Sequence, residues 1–258
     1  MKEKIKKFLP KIEKKNSLIL KSVTKETLFH QDIVFLVWNV YKKNNDVKWR
    51  EEFEYIMNVY HPDIILFQES VSTFTIEPIH SYRHFGYLFF PNFSYKNRAY
   101  GLLNASKSKI INFNSLYSRD FEPILKTPKM IMATKYKLNN GETLLVVNVH
   151  LINFVKTEKF QAQLRQIEEV CLSHKGAVVL AGDFNTWNRK RFSLLCESAK
   201  KLSLKMVKFP VNSSKRSILK EPLDHIFYRG LKLKRSKVLE FCKSSDHKPL
   251  LASFKVEK

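Results

Sequence analysis

Cysteine and long apolar runs are scarce in this sequence of 258 residues. The three cysteines are odd in number and far apart in apolar surroundings, which argues against a disulfide framework or a zinc knuckle. No apolar run approaches the roughly 18 residues of a membrane-spanning helix, and residues 1–10 lack the apolar core of a signal peptide. We therefore expect a reduced, cytoplasmic protein.

Acidic residues are also few, with 24 Asp and Glu against 46 Lys and Arg, so the formal net charge is +22. This excess is larger than solubility requires and predicts a polyanionic partner. Charge alone leaves nucleic acid, an anionic membrane surface and a phosphorylated small molecule open. Hydrophobic residues make up 44% of the chain, which is enough for a sizeable core.

The first 31 residues differ in composition from the remainder. Residues 1–29 hold nine Lys against three Glu, which predicts a basic N-terminal arm over residues 1–31. The arm either touches nucleic acid or membrane, or is simply a solvated extension. A continuous apolar run at 33–38 then begins the body of the protein. Because no repeat, linker or later boundary follows, we predict a single domain over residues 32–258. We also expect a monomer.

Hydrophobic periodicity predicts a mixture of helices and strands. Spacings of three and four predict helices near 49–60, 160–171 and 192–202. Short apolar or alternating runs predict strands near 33–38, 63–67, 87–90, 100–103, 109–117, 130–138, 143–147, 178–180, 223–228, 237–241 and 245–254. Strands joined without helices between 71 and 138 imply antiparallel pairing, and Asn139-Asn140-Gly141 predicts a hairpin turn.

The stretch from 177 to 188 is the most informative part of the chain. A buried strand is predicted at 178–180, and Gly182 allows a tight turn or a close approach. Asp183 and Asn185 would point the same way if the chain stays extended, with Phe184 turned into the core. Such a carboxylate and amide can hold a water molecule or a metal ion. An Asx-rich turn that caps the next helix explains the pattern equally well.

Four apolar runs end in polar residues. Asn39, Glu69, His150 and Asp183 each stand at such an end, and Ser245-Asp246-His247 follows near the C-terminus. Each has an ordinary explanation on its own. Together they would carry a desolvation penalty unless they gather around water, a metal or a substrate.

The residue types at these ends agree with one kind of chemistry. Glu69 and Asp246 are hard oxygen ligands that suit Mg²⁺ or Mn²⁺. The amides of Asn39, Asn148 and Asn185 can hydrogen-bond a phosphate or a nucleophilic water without adding negative charge. Metal-assisted hydrolysis of a phosphoester is therefore indicated.

The ordered set of motifs resembles the endonuclease/exonuclease/phosphatase superfamily, whose fold is DNase I-like. The resemblance covers essentially all of 32–254 and rests on Trp-Asn39, Gln-Glu69, Asn-Val-His150, Gly-Asp-Phe-Asn185, Leu-Asp224 and Ser-Asp-His247. Further stretches are similar to its YafD-like bacterial branch, namely Glu122-Pro-Ile-Leu125, Asn153-Phe154, Asn188-Arg-Lys-Arg191, Phe227-Tyr-Arg-Gly230 and Ser245-Asp-His-Lys-Pro-Leu250. The resemblance implies an α/β (α+β) fold, a four-layer sandwich of two packed, mixed, largely antiparallel β-sheets flanked by helices.

The resemblance also implies roles at the metal and the water. Glu69 is similar to the principal metal ligand, with Asn39 beside it and Asp246 binding or shaping the metal site. Asp183 looks like the residue that orients or deprotonates the attacking water, assisted by Asn185.

A second group of roles concerns the phosphate. His150 resembles the histidine that donates to the phosphate or leaving oxygen. His247 would contact and polarise the scissile phosphate while Asp224 holds it. Asp224 alone is carried over from Leu-Asp-His-Ile-Phe, because its neighbour His225 points to the opposite face. Tyr117 and Lys129 fall near positions used against the phosphate, although a lysine lacks the bidentate fork of arginine.

A basic cluster, Arg189-Lys190-Arg191, falls in the first turn of a predicted helix, where the helix dipole disfavours cations. One hypothesis is that the cluster and the helix N-terminal amides bind a phosphate next to the scissile one. A solvated basic turn explains it equally well.

The leading hypothesis is a divalent-metal-dependent phosphodiesterase, a nuclease acting on DNA with Mg²⁺ or Mn²⁺. The basic surplus fits, because each neutralised phosphate strengthens binding. A phosphomonoesterase or phospholipid esterase is the alternative, with the charge serving an anionic membrane. A non-catalytic nucleic-acid-binding member is the third possibility.

Overall fold

The computed structural model describes residues 10–12, 19–28, 32–73, 84–123, 126–210 and 222–256. Its helices are α1 (Val47–Tyr60), α2 (Thr157–Leu172) and α3 (Arg189–Lys201). Its strands are β1 (Lys11–Ile12), β2 (Ile19–Lys21), β3 (Thr27–Leu28), β4 (Ile33–Asn39), β5 (Ile64–Ser72), β6 (Gly86–Tyr95), β7 (Arg98–Ser106), β8 (Asn112–Phe121), β9 (Pro128–Leu138), β10 (Thr143–His150), β11 (Ala177–Asp183), β12 (Lys205–Met206), β13 (Asp224–Arg229), β14 (Leu231–Val238) and β15 (Leu250–Val256). None of the helices in these ranges is long and apolar enough to cross a membrane.

The strands form two sheets. The first has the order β1-β6-β7-β5-β4-β15-β14, and β2 also pairs with β6. The second has the order β12-β13-β11-β10-β9-β3, and β8 also pairs with β9. Parallel pairing joins β4 to β5, β10 to β11 and β3 to β9, and the remaining pairs of the described strands are antiparallel. The sheets are mixed and largely antiparallel, as predicted.

The two sheets pack face to face around a shared core. Strand side chains alternate between faces, so Phe35 and Val37 of β4 point between the sheets and meet Val146 and Val179 from the second sheet. Phe35 also makes an edge contact with Phe254, with ring centroids 5.6 Å apart. Both faces of the central strands are therefore buried, which explains their nearly continuous apolar sequence.

Helices cover the outer faces of both sheets. Trp38 points away from the central core and stacks on Trp49 of α1, with ring centroids 5.5 Å apart. On the second sheet, Phe160 of α2 and Leu195 of α3 pack over Leu180. The four-layer, DNase I-like sandwich predicted from the sequence is confirmed.

Helix α1 follows its predicted spacing and end. Its buried face consists of Trp49, Phe53, Ile56 and Met57. The helix ends at His61, whose left-handed conformation breaks the hydrogen-bond pattern, and Pro62 follows.

The predicted boundary at Asp32 does not separate the described parts of the N-terminal arm from the sheets. Strands β1 and β2 extend the edge of the first sheet beside β6, and β3 lies beside β9 in the second. Backbone pairing at a sheet edge needs no apolar side chain, so the lysine content of this region did not reveal it. Residues 1–9, 13–18 and 29–31 of the predicted arm lie outside the described residues.

Two predicted strands near the C-terminus have different bounds. Strand β14 ends at Val238, and the segment beyond it turns, with the Cys242 amide donating to the Leu239 carbonyl. Alternating exposed lysines at 232, 234 and 237 obscured this edge strand. Strand β15 begins only at Leu250, so the residues from 245 to 249 are free to form a turn at the end of the sandwich.

Candidate active site

The topology brings the polar strand ends to one edge of the sandwich. Parallel pairing places Asn39 beside Gln68 in the first sheet and His150 beside Asp183 in the second. Asp224 begins the antiparallel strand β13 directly opposite Asp183. Strand identity and direction therefore assemble residues that are distant in sequence.

An open cleft of about 490 Å³ lies at this edge. Its lining includes Asn39, Glu69, Lys129, His150, Asp183, Asn185, Asp246 and His247. Asp246 is the exposed member of this group. Every predicted metal residue lines one cleft together with most of the predicted catalytic residues.

Asp183 lies at the centre of the cleft and is only 2% exposed. Its Oδ2 accepts a hydrogen bond of 3.0 Å from Asn39 Nδ2, across the two sheets. Its Oδ1 accepts from the Asn185 backbone amide at 2.9 Å. Burial and the nearby charge of Asp224 raise the pKa of Asp183 to about 7. Such a carboxylate can accept a proton from water near neutral pH.

The side chain of Asn185 differs in direction from the prediction, which had it point the same way as Asp183. The chain leaves the strand there, with Asn185 in the left-handed region at a φ of 51°. Its Nδ2 donates to the Leu151 carbonyl at 2.8 Å, so the side chain anchors the loop after β10. Phe184 is fully buried, as expected. The helix-capping role belongs to Asn188, whose side chain accepts from the Arg191 amide.

His247 and Asp224 form a tight pair, with 2.6 Å between Nδ1 and Oδ2. The other ring nitrogen, Nε2, is 4.0 Å from Asp183 Oδ2. Burial disfavours the charged ring, but the hydrogen bond that the ring donates to Asp224 and the negative charges of Asp224, Asp183 and Asp246 raise the pKa of His247 to about 9. His247 is therefore an imidazolium at neutral pH.

The turn that carries His247 is built by Ser245. The Ser245 hydroxyl donates to the Asn39 carbonyl at 2.7 Å and accepts from the His247 amide at 3.2 Å. Trp38 Nε1 donates to the His247 carbonyl at 3.1 Å. The motif Ser245-Asp246-His247 is thus tied to the end of β4, which carries Asn39.

His150 is neutral, and its neighbour Lys129 carries the charge. Burial and the charge of Lys129 hold the pKa of His150 well below its ordinary value. Lys129 Nζ lies 3.0 Å from His150 Nε2, which is 3.4 Å from Asp183 Oδ2. Glu122 lies 3.4 Å from the same ammonium. Lys129, which the sequence linked to the phosphate by a loose correspondence, is thus placed inside the cleft.

Glu69 occupies a bulge in β5, where the register shifts between Phe67 and Ser70. Its φ of 51° is unusual for a residue with a side chain and is a form of local strain often found at functional sites. Its Oε2 is 2.6 Å from Lys42 Nζ. Burial opposes ionisation, but Lys129 and Lys42 outweigh it and lower the pKa of Glu69.

Lys42 is a member of the site that the sequence did not indicate. It stands in a turn where Tyr41 and Lys42 both have positive φ, and its backbone amide donates to the Glu69 carbonyl at 3.0 Å. Lysines are abundant throughout the chain, so only the fold distinguishes this one.

The donors at the cleft fit a hard divalent cation. Asp183, Asp224 and His247 offer atoms within 4.8 Å of one another, a group that could hold a metal. Asp224 Oδ1 is buried and lacks a hydrogen-bond partner among the described residues. Glu69 and Asn39 add oxygen donors in the same cleft, and oxygen is the ligand type that a hard cation prefers.

Asn148 does not contact the cleft, contrary to the prediction. It is fully buried between the sheets, where its Nδ2 donates to the carbonyls of Phe67 and Leu103 and to Asn104 Oδ1. Gln68 Nε2 donates to its Oδ1 at 2.7 Å. Asn148 shares a strand face with His150 but lies two residues deeper, so its amide links the sheets instead of reaching substrate.

Tyr117 is also misplaced by the prediction. Its hydroxyl donates to the Pro91 carbonyl at 3.0 Å, its ring makes an edge contact with Phe90, and it does not line the cleft. The sequence correspondence was too loose to fix its position.

Arg191 does not offer its guanidinium to a phosphate. The side chain is buried and donates to the carbonyls of Ile152, Asn185 and Val155. Backbone oxygens therefore compensate the cation that the helix dipole disfavours. Arg189 and Lys190 are exposed in the first turn of α3, and their contact with a phosphate stays a prediction.

Fold and site together define a phosphoester hydrolase of the DNase I-like class. Residues 36–247 match the model of the Endonuclease/Exonuclease/phosphatase family, and the chain belongs to this family. The superfamily consists of phosphoesterases. The YafD-like assignment within it stays a prediction.

Individual relatives agree with this membership. The UPF0294 protein of Vibrio campbellii is 36% identical over 220 residues, which cover 85% of this chain and 76% of that protein. An endonuclease/exonuclease/phosphatase from Beutenbergia cavernae has a TM-score of 0.69 at 14% identity, over 88% of this chain and 72% of the other. The human Nocturnin catalytic domain with bound sulfate has a TM-score of 0.66 at 19% identity, over 93% and 98%. At these identities the two solved structures show the fold alone.

Proposed function

We propose that this protein is a divalent-metal-dependent phosphodiesterase that hydrolyses DNA. The proposal depends above all on the position of Asp183, buried between Asn39 and the imidazolium of His247 at an open cleft. A carboxylate with a pKa near 7 can take a proton from water, while the adjacent cation stabilises the charge that develops on a phosphate.

The residues of the chain divide the chemistry between them. Asp183 accepts a proton from water as the water oxygen bonds to phosphorus, and His247 donates a hydrogen bond to a non-bridging oxygen. The bond from phosphorus to the leaving oxygen breaks, and the pair formed by Lys129 and His150 supplies a proton to that oxygen. A divalent cation held by Glu69 and Asn39, with Asp246 at the rim, would neutralise charge on the phosphate.

The charge of the chain supports nucleic acid as the substrate. A net charge of +22 favours a polymer of phosphates, because every phosphate that Lys or Arg neutralises releases counterions and strengthens binding. The cleft is open, which suits a strand that continues beyond the scissile bond. Mg²⁺ or Mn²⁺ is the expected metal, since both prefer oxygen ligands.

Hydrolysis of a phospholipid or phosphoinositide is the second candidate. The same charge would attract an anionic bilayer, and the exposed ring of Phe154 beside the cleft could enter a lipid surface. A protein that only binds nucleic acid is the third reading, and the assembly of acid, base and metal-type residues in one cleft argues against it.

A substrate panel separates these readings. Purified protein is incubated with double-stranded DNA, single-stranded DNA, RNA and phosphoinositide vesicles, each with Mg²⁺, Mn²⁺ or EDTA and at several salt concentrations. We expect DNA cleavage that needs the metal and whose KM rises steeply with salt. Phosphate release from the vesicles with all polynucleotides intact, or binding of DNA without turnover, would contradict the proposal.

A further inference from the structure

Phe154 is the most exposed large apolar residue around the cleft. Its side chain is 69% exposed, and it lines the same cleft as His150, Asp183 and His247. Tyr41 is another exposed aromatic residue that lines the cleft, and the Lys42 ammonium lies 5.3 Å from the centroid of its ring. Phe154 makes no ring contact with another described aromatic residue.

The backbone at Phe154 has an unusual conformation. Its φ is 52°, a left-handed conformation that a phenylalanine rarely adopts. The Phe154 amide donates to Asn153 Oδ1 at 2.9 Å. A strained conformation persists only where surrounding contacts impose it. The strained backbone at Phe154 does not serve to bury the ring.

A second aromatic residue is tied to the same polar group. Trp187 Nε1 donates to Asn153 Oδ1 at 2.9 Å, and the indole is 44% exposed. The Arg191 guanidinium lies 5.3 Å from the Trp187 ring centroid. Because that guanidinium also binds the Ile152 and Val155 carbonyls on either side of Phe154, it ties the loop to helix α3.

We propose that Phe154 and Trp187 form a stacking subsite for an unpaired nucleobase next to the scissile phosphate. The substrate class is then single-stranded or locally unpaired nucleic acid. Stacking tolerates any base, since every base has a π-face, and it complements a basic surface that binds the phosphates. This inference rests on the proposed nuclease function, because the base enters together with its phosphodiester.

Four variants of Phe154 distinguish stacking from other roles. Phe154→Ala removes the ring, Phe154→Leu keeps apolar area without a π-face, and Phe154→Tyr keeps the π-face. Phe154→Gly removes the ring and also accepts the positive φ. Phe113→Ala is the matched control, since Phe113 is 40% exposed on β8 and does not line the cleft.

Binding is measured by fluorescence anisotropy in the Asp183→Asn background. The probes are a labelled single-stranded oligonucleotide and a series in which each position in turn is abasic. We expect Phe154→Ala and Phe154→Leu to weaken binding of the full oligonucleotide about ten-fold. The loss should disappear for one abasic position, Phe154→Tyr should bind like the parent, and Phe113→Ala should change nothing.

Stability separates a binding role from a structural one. We expect Phe154→Gly to unfold at a higher temperature than Phe154→Ala, because glycine adopts the left-handed conformation without strain, while both bind the oligonucleotide equally poorly. Equal losses for full and abasic probes would overturn the inference. Loss of binding to anionic phosphatidylserine vesicles with oligonucleotide binding intact would overturn it in favour of a lipid contact.

The anisotropy measurement needs no turnover, so the two proposals fail separately. Binding that depends on the base, without hydrolysis, would support the stacking subsite and contradict the proposed nuclease function. Hydrolysis of DNA that is indifferent to Phe154 and to abasic positions would keep the nuclease and contradict the subsite.

Discussion

Asp224 and His247, 23 residues apart in sequence, meet through a hydrogen bond of 2.6 Å between Oδ2 and Nδ1 at the edge of the sandwich. The contact fixes the orientation of the imidazole and leaves Nε2 near Asp183. Burial of the ring opposes its charge, and the carboxylate more than offsets that effect. The charge state of His247 is therefore set by Asp224. Substitution of Asp224 tests this assignment.

Replacing Asp224 should move the alkaline limit of activity. With Asp224 present, His247 holds its proton up to a pKa of about 9. In Asp224→Asn the limit should fall toward the ordinary histidine value of about 6.5, because the hydrogen bond to a charged acceptor is lost. The measurement is kcat/KM against pH for both proteins. An unchanged alkaline limb would contradict the assignment.

The same pair predicts a pH-dependent stability. A histidine whose folded pKa is raised contributes stability that is fully present below about pH 6.5 and is lost as the pH rises through about 9. Urea unfolding in EDTA should show a larger gap between parent and Asp224→Asn at pH 6 than at pH 10. Glu142→Gln, in the exposed hairpin at the other end of the sandwich, is the control and should show no such trend.

Lys42 should compete with the metal. Its ammonium lies 2.6 Å from the Glu69 carboxylate that would hold a divalent cation. Lys42→Met should bind Mn²⁺ several-fold more tightly by calorimetry and lower the Tm of the metal-free protein, since Glu69 then lacks a counter-charge. Lys43→Met, which removes an exposed partner of Asp46, is the matched control. Weaker Mn²⁺ binding in Lys42→Met would show that Lys42 supports the metal instead.

Lys129 should act on the reaction more than on stability. Its ammonium is held by His150 and Glu122 inside the cleft. Lys129→Met should lower kcat about 100-fold, the usual effect of removing one charged donor from the transition state. Steady-state kinetics on a DNA oligonucleotide test this, with circular dichroism to confirm folding. A rise in KM with kcat unchanged would assign Lys129 to ground-state binding.

Asn148 should matter for stability and little for chemistry. Asn148→Ala leaves buried partners such as Gln68 Nε2 and Asn104 Oδ1 without their hydrogen bonds. We expect the free energy of unfolding to fall by about 2 kcal/mol, while kcat of the folded fraction changes less than ten-fold. Asn140→Ala, in the exposed part of the hairpin, is the control. A 100-fold loss of kcat without loss of stability would return Asn148 to the site.

Much of the fold was predictable because strand ends carry a strong signal. Buried strands such as β4 and β11 have continuous apolar sequences that stop at polar residues, and face-to-face packing of the two sheets brings the strand ends at Asn39 and Asp183 within reach. Helix positions followed from spacing alone. The edge strands β1 to β3 were not predictable in this way, because backbone pairing at an edge does not constrain side-chain type.

The errors in the site arise from features that residue type does not show. Sequence gives residue type and strand face but not depth, so both Asn148 and His150 were expected at the substrate, although only His150 reaches the cleft. Arg191 was a candidate for binding an anion. The three loop carbonyls that accept hydrogen bonds from its guanidinium come together only in the folded chain, so the sequence did not show them. Lys42 was missed because its position depends on the positive φ of two successive residues, Tyr41 and Lys42. The types of these two residues do not predict a positive φ.

The most direct test of the nuclease proposal is nicking of a supercoiled plasmid by the parent protein and by Asp183→Asn, each with Mg²⁺, Mn²⁺ or EDTA. Among the described residues, Asp183 is the only carboxylate that accepts hydrogen bonds from both the Asn39 side chain and the Asn185 backbone amide. We expect metal-dependent nicking that EDTA abolishes and that Asp183→Asn slows at least about 1,000-fold, while its circular dichroism spectrum stays unchanged. Equal nicking by both proteins, or an intact plasmid with phosphate released from phosphoinositides, would contradict a DNA nuclease that uses Asp183 as its base.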